Sequence, residues 1–254
     1  MSKPERKAGR RAAAPVDETL RRLWEAYPQA RCSLDYKTPL ELLVATILSA
    51  QCTDARVNMV TPELFRRFPD VRSLAGAPAG AVEDVIKSTG FFNAKARSLR
   101  GAARAIVERH GGEVPRTMDE LVKLPGVGRK TANVVTGNAF GEPGGVVVDT
   151  HVGRISRRLG WTRHSDPEKV ELDLNRIVPR DSWVFLPHAL IHHGRAICTA
   201  RNPLCESCFL FDVCPKVGVP KREAKVKANV RAKAKATARA AARPKRRVKA
   251  RRTG

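Results

Sequence analysis

Two charged residues and four cysteines are the groups in this chain whose types and spacing could do chemistry. Lys130 follows a glycine-framed stretch, "LPGVGRKTANVV" (124–135), whose periodic apolar residues open a helix just past the glycines. A helix N-terminus carries partial positive charge, so an ammonium in its first turn is disfavoured, and Arg129 adds a second cation beside it. The penalty on the ammonium favours the free amine, the form of lysine that attacks carbon and builds a Schiff base. The alternative is a lysine that contacts a phosphate. Asp149, in "VVVDTHVGR", is a carboxylate of the kind that would manage protons beside such a nucleophile. Its position also suits the N-cap of the following helix, and a cap would hold the side chain still.

Cys198, Cys205, Cys208 and Cys214 crowd into one segment with intervals of six, two and five residues, whereas Cys32 and Cys52 stand apart. Four soft thiolates in so short a stretch can wrap one compact metal centre. A structural zinc, a [4Fe–4S] cluster and four unliganded thiols are the alternatives. Zinc sites more often pair two short knuckles, and only Cys205 and Cys208 form one here, so the uneven spacing suits a cubane better.

These residues need rigid carriers, and the apolar periodicity from Asp17 onward is helical nearly everywhere. "DETLRRLWEAYP" opens the series with Asp17 as an N-cap. In "TPLELLVATILSAQCT", Thr38 is placed as cap, Pro39 at the first helical position and Glu41 three residues after the cap. This helix is apolar almost all round, which makes it central. Further helical runs start near Val57, Ala81, Asn93, Thr117, Arg129, Thr150, Pro167 and Ser182. "TMDELVKLPGVGRKTANVV" reads as helix, tight hairpin, helix, with Pro125 stopping the first helix. Gly126 and Gly128 are expected to take backbone angles that a Cβ resists. The amides of Gly126, Val127 and Gly128 would then point outward beside a helix N-terminus, a ready site for one phosphate. An ordinary helical corner is the alternative. Only "VVV" (146–148) is strand-like, so the expected fold class is all-α.

The charge balance narrows the partner. Lys and Arg number 48 against 25 acidic residues, a net charge of +23. That points to a polyanion, either nucleic acid or an anionic surface. No apolar run approaches the roughly 18 residues of a membrane span, and the basic N-terminus lacks the apolar core of a secretory signal. From Lys216 onward the chain holds eight Lys and eight Arg against one Glu, with no Leu, Ile or aromatic residue to bury. The segment reads either as a solubilising tail or as an arm that holds DNA by counterion release.

Taken together and in order, "LSAQCTD", "GFFNAKA", "LPGVGRKTANVV", "VDTHVGR", "HGR" and the cysteine spacing resemble the endonuclease III family of helix-hairpin-helix DNA glycosylase/AP lyases, over residues 17 to 216. The resemblance implies a two-domain, all-helical helix-hairpin-helix DNA glycosylase fold with an iron–sulfur cluster domain. Residues 32–142 would form the helical bundle with the hairpin, and 17–31 plus 143–216 the cluster domain. Residues 1–16 would be a basic disordered segment and 217–254 a disordered Lys/Arg/Ala-rich tail. It further implies that Lys130 attacks C1′ of a damaged nucleotide, that Asp149 assists base departure, and that strand scission follows by β-elimination. Gln51 would fill the space left by the base and Phe91, where the family commonly has leucine, would wedge into the duplex. Gly126, Val127, Gly128 and Arg129 would grip the backbone, and the four cysteines would hold a [4Fe–4S] cluster. The expected partner is double-stranded DNA with an oxidised pyrimidine or an abasic site. The expected protein is a monomer in the bacterial cytoplasm, associated with the nucleoid and not with membrane. His151, His188 and His192 are read as structural, and Arg201 as the one basic residue of the first inter-cysteine loop. A mismatch-specific glycosylase of this fold and a non-catalytic or redox-sensing DNA-binding protein are the alternatives.

Deleting residues 217–254 is expected to weaken duplex binding and to flatten its salt dependence by roughly 0.9 in log–log slope for each phosphate no longer neutralised. Single-turnover chemistry at saturating protein should stay unchanged. Binding titrations across a salt series check this, and an unaltered slope would refute the arm.

Overall fold

The computed structural model describes residues 12–219, so the expected basic segment and Lys/Arg/Ala-rich tail lie outside the described residues except for 12–16 and 217–219. The chain divides into two units after Val217. The first unit holds all the structure that follows.

Eleven α-helices and no strand occur among the described residues. The first is α1 (Val16–Ala26). The next five are α2 (Pro39–Leu48), α3 (Asp54–Arg67), α4 (Val71–Ala75), α5 (Ala81–Ile86) and α6 (Phe92–Arg109). The hairpin pairs α7 (Met118–Leu121) with α8 (Arg129–Phe140), and α9 (Thr150–Arg158), α10 (Pro167–Ile177) and α11 (Phe185–Ala196) follow. The all-α expectation holds. Val146–Val148, read as strand-like, form no ladder, because a strand needs a neighbour to bond with and the amide of Val146 is taken by Asn175 Oδ1 at 2.9 Å.

Two hydrophobic cores lie within this unit. Helices α2 to α8 build the first, and α2 is its axis, buried without interruption from Leu42 to Leu48 as its all-round apolarity requires. Helix α6 lies against α4 and α5, and α2 against α8. The second core joins α1 to α9, α10, α11 and the cysteine segment through residues such as Leu23, Ile155, Leu174, Leu190 and Leu210. Helix α1 and the residues just before it are locked there by specific contacts. Trp24 stacks on Phe185 with ring centroids 3.6 Å apart, Trp161 Nε1 donates to the carbonyl of Ala14 at 2.8 Å, and Arg22 donates to Asp212 and to the carbonyl of Phe209.

Local differences from the expected elements have local causes. Pro15, not Asp17, precedes the first helical residue; Asp17 sits in the first turn, where its charge complements the helix dipole. Thr38 caps α2 as expected, but Glu41 accepts from the amide of Lys37 rather than from that of the cap. Helix α4 is an addition to the expected elements, although Asp70 and Ser73 form a reciprocal capping box at its start. Helix α7 stops at Leu121, before Pro125, and tight turns carry the chain onward through bonds from Leu124 to Leu121 and Val127 to Leu124. A residue before proline resists the helical region, so these turns finish what the helix cannot.

Candidate active site

The hairpin's two glycines serve different purposes. Gly126 has φ +78°, and a Cβ there would meet Ser98 at 2.5 Å, so both its conformation and its packing against α6 demand glycine. Gly128 has φ −91°, an ordinary angle, and a Cβ there would meet nothing within 4 Å. The expectation of special angles at both positions therefore holds only at Gly126. The side chain of Val127 is buried, and its amide is spent on the carbonyl of Leu124 at 3.1 Å. The amides of Gly126 and Gly128 find no acceptor among the described residues, and the unpaired first amides of α8 follow them.

Lys130 is exposed at the second position of α8, and Asp149 is the N-cap of α9. Asp149 Oδ1 accepts from the amides of His151 and Val152, both at 2.8 Å; Oδ2 accepts no bond among the described residues. Capping and chemistry can thus be divided between the two oxygens. Lys130 and Asp149 line one cavity of about 240 Å³, which also takes in Ser49, Asn133, Asn138 and His188. Gln51, Phe91, Gly126, Val127, Gly128, Arg129 and the four cysteines of the cluster segment are not part of its lining.

The two sides of this cavity are held together by a residue that sequence reasoning missed. Glu171 of α10 is buried and accepts from Arg129 Nε at 3.0 Å, from Arg129 Nη2 at 2.8 Å and from Asn133 Nδ2 at 3.1 Å. Gly145 is pressed against the same carboxylate, too closely for any Cβ. Arg129 is therefore an anchored cation matched by a carboxylate, not an unpaired charge beside Lys130. His188 Nε2 donates to Asn138 Oδ1 (3.2 Å), and burial, aided by nearby His192, pushes its pKa down to about 4. His151 is held by Arg154 at 3.1 Å, and burial lowers its pKa as well. Both fit the structural roles expected of them, and His192 lies 6.1 Å from the Tyr27 ring. Arg195 of the "HGR" motif lies 3.9 Å from Asp54 across the cavity lining.

Gln51 and Phe91 share an unusual backbone. Both are exposed and left-handed, at φ +52° and +48°, and Phe91 is 67% exposed. An exposed aromatic residue in that region carries strain that burial does not offset, a signature of sites where geometry is held for a purpose. Neither residue type signals this in the sequence.

The cysteine segment is built to hold something positive. Cys198, Cys205, Cys208 and Cys214 are unbridged and partly buried. Burial, reinforced by the other three thiols, pushes Cys208 up to about 11 and raises Cys214 in the same way. Deprotonating this set requires a compensating cation, as iron supplies. Among the described residues no group of three or more His, Cys, Asp or Glu is arranged to hold a single metal ion. Donors already face the sulfurs: Arg158 Nη1 lies 3.1 Å from Cys198 Sγ, and the Leu210 amide lies 3.4 Å from Cys208 Sγ. Arg154 and Arg158 of α9 also donate to the carbonyls of Cys198, Thr199 and Ala200. The helix capped by Asp149 therefore carries the start of the cysteine segment on its other side.

Comparison with known proteins agrees with this geometry. Residues 44–180 match the HhH-GPD superfamily of base excision DNA repair proteins, and residues 198–214 match the iron-sulfur binding domain of endonuclease III. The endonuclease III of Synechocystis is 56% identical over 198 residues, covering 78% of this chain and 90% of that protein. The endonuclease III of Bacillus subtilis is 46% identical over 200 residues, covering 78% and 91%. A solved structure of a trapped endonuclease III–DNA covalent intermediate, in an estranged-adenine complex, superposes with a TM-score of 0.73 at 44% identity, covering 78% of this chain and 93% of that one.

The hairpin predicts opposite outcomes at its two glycines. Gly126→Ala is expected to cost about 1–3 kcal/mol in chemical denaturation, since the alanine must take a left-handed angle and displace Ser98. Gly128→Ser should leave stability within about 0.5 kcal/mol, because serine caps well and finds open space. It should nonetheless weaken duplex binding about fivefold by standing where a phosphate meets the backbone. A pH series of melting points tests His188. Its depressed pKa stabilises the fold fully above the ordinary 6.5, and that contribution is lost as pH falls through about 4. The melting point should decline across that window, and His188→Asn should remove part of the decline.

Proposed function

The chain belongs to the endonuclease III branch of the HhH-GPD superfamily, and we propose that its base excision runs through Lys130 as nucleophile and Asp149 as the carboxylate that manages protons. As a member of that branch it is a DNA glycosylase and AP lyase with a [4Fe–4S] cofactor, and its partner is DNA. The observation that carries the residue assignment is that Lys130 and Asp149, from the starts of two different helices, line one cavity.

In this reading the neutral amine of Lys130 attacks C1′ of a nucleotide turned out of the stack. The bond from C1′ to the base breaks, and the base leaves with a proton. Asp149 stabilises the positive charge that develops on the sugar and passes protons as the ring opens to an imine with Lys130. Removal of a proton from C2′ then expels the 3′ phosphate, and water releases the lysine. The substrate would be an oxidised pyrimidine, or an abasic site, in duplex DNA. The open amides of Gly126 and Gly128 support a grip on one phosphate, with Val127 anchoring the turn from inside and Arg129 tying it to Glu171. Gln51 and Phe91 would enter the duplex where the nucleotide has left, a departure that costs a few kcal/mol. Cys198, Cys205, Cys208 and Cys214 would ligate the cluster, which when bound supplies the charge that holds four partly buried thiolates together. No helix among the described residues is long and apolar enough to cross a membrane. We assign the protein as a monomer working on bacterial chromosomal DNA in the cytoplasm.

Borohydride trapping on a duplex with an abasic site tests the assignment. Wild type should form a covalent adduct and Lys130→Ala none. Asp149→Asn keeps a good N-cap, so it should melt within about 1 kcal/mol of wild type while base excision slows by about 10²-fold or more. An undiminished adduct with Lys130→Ala would sink the nucleophile.

A further inference from the structure

Lys95 is a buried cation for which the reaction above has no task. It lies near the start of α6 and is only 5% exposed. Its Nζ donates to two backbone carbonyls, Leu48 O and Thr89 O, both at 2.8 Å. Leu48 is the last residue of α2, so its carbonyl is one of those a helix end leaves without a partner, and a cation is welcome there. Thr89 ends the short 3₁₀ turn Lys87–Thr89. Three residues beyond Leu48 stands Gln51, and two residues beyond Thr89 stands Phe91. With Lys216 these are the non-glycine residues of positive φ among the described residues.

Two strained turns thus leave from carbonyls bound to one nitrogen. A left-handed non-glycine residue is strained and persists only where its surroundings over-determine it. Side-chain burial cannot supply that at Gln51 or Phe91, since both are exposed. A helix cap alone would need one carbonyl. The second bond joins α2 to a turn that lies some forty residues further along the chain. Burying an ammonium is itself costly, and burial lowers the pKa of Lys95, with the Cys52 thiol opposing that shift. A methionine would fill the same space without that cost.

We propose that Lys95 is a positioning residue that locks the Gln51 and Phe91 turns into one two-pronged unit, so that both prongs enter the duplex in register when the target nucleotide leaves. The inference rests on the reading of Gln51 and Phe91 given under the proposed function. It predicts that losing the clamp resembles losing a prong, and that the loss shows only where a base must be unpaired.

Single-turnover assays on two duplexes separate these effects, one with a paired 5,6-dihydrothymine and one with a preformed abasic site. Gln51→Ala, Phe91→Ala and Lys95→Met should each slow excision of the paired base about tenfold or more, and with Lys95→Met nicking at the abasic site should change by less than about threefold. Lys95→Met combined with Gln51→Ala should be no more than about twofold slower than the worse single variant, because groups acting as one unit are not additive. Lys95→Gln keeps a neutral amide donor on a shorter side chain and serves as the second variant if Lys95→Met does not fold; it should show the same selective loss in smaller measure. Equal slowing on both duplexes, or full additivity with Gln51→Ala, would make Lys95 a merely structural residue and overturn the clamp. So would prong variants that lose paired-base excision while the Lys95 variants do not. If Gln51→Ala and Phe91→Ala lose nothing on either duplex, the prong reading fails and the clamp fails with it.

Discussion

One buried carboxylate governs how the two halves of the cavity meet. Glu171 reaches from the second core to the first turn of α8, and it takes both arms of Arg129 together with the amide of Asn133. A charge taken out of water is tolerable only when its partners are well aimed, and removing one partner from such a set costs several kcal/mol. The position of α8 against α10 is therefore strongly determined. Lys130 follows Arg129 directly. On the other side Glu171 and Asn175, one turn apart on α10, hold the chain at Gly145 and Val146, just before Asp149. Lys130 and Asp149 are spaced by contacts that neither of them makes.

This division of labour explains what could be read from the sequence. The bounds of α8, the cap at Asp149 and the central place of α2 follow from residues within a turn of one another, where periodicity and capping speak clearly. Lys130 could be singled out because its charge conflicts with its place on the helix. Glu171 and Lys95 carry no such local signal. Each looks like an ordinary charged residue on a helix until the fold brings it a partner from more than forty residues away. Gln51 and Phe91 are equally silent, since neither is the glycine or asparagine that a left-handed angle favours; Gly90 marks a turn beside Phe91 but not the angle of Phe91 itself. Glycine misled in the opposite direction at Gly128, whose angle is ordinary and whose value lies in the space around it.

Helix α9 gives the cysteine segment a part in the same frame. Asp149 caps its N-terminus, while Arg154 and Arg158 bind the carbonyls that follow α11 and Arg158 also faces Cys198 Sγ. Arg158 ends the helix, where cations are favoured, and is almost wholly buried. Holding the cysteine segment and holding Asp149 are thus tasks of one rigid element. The N-terminal helix closes the arrangement from outside through Arg22 and Trp24.

The bare ledge at Gly126 and Gly128 has a kinetic consequence. Its donors are peptide amides with no side chain standing over them, and amides meet every phosphate of a duplex alike. In the proposed grip the energy of that contact would hardly vary from one base pair to the next, so the protein could shift along DNA by exchanging equivalent phosphates without climbing out of a well. Discrimination is deferred to the moment a nucleotide yields. A hairpin that read base edges would bind some sequences more tightly and would linger on undamaged DNA, slowing the search it has to complete.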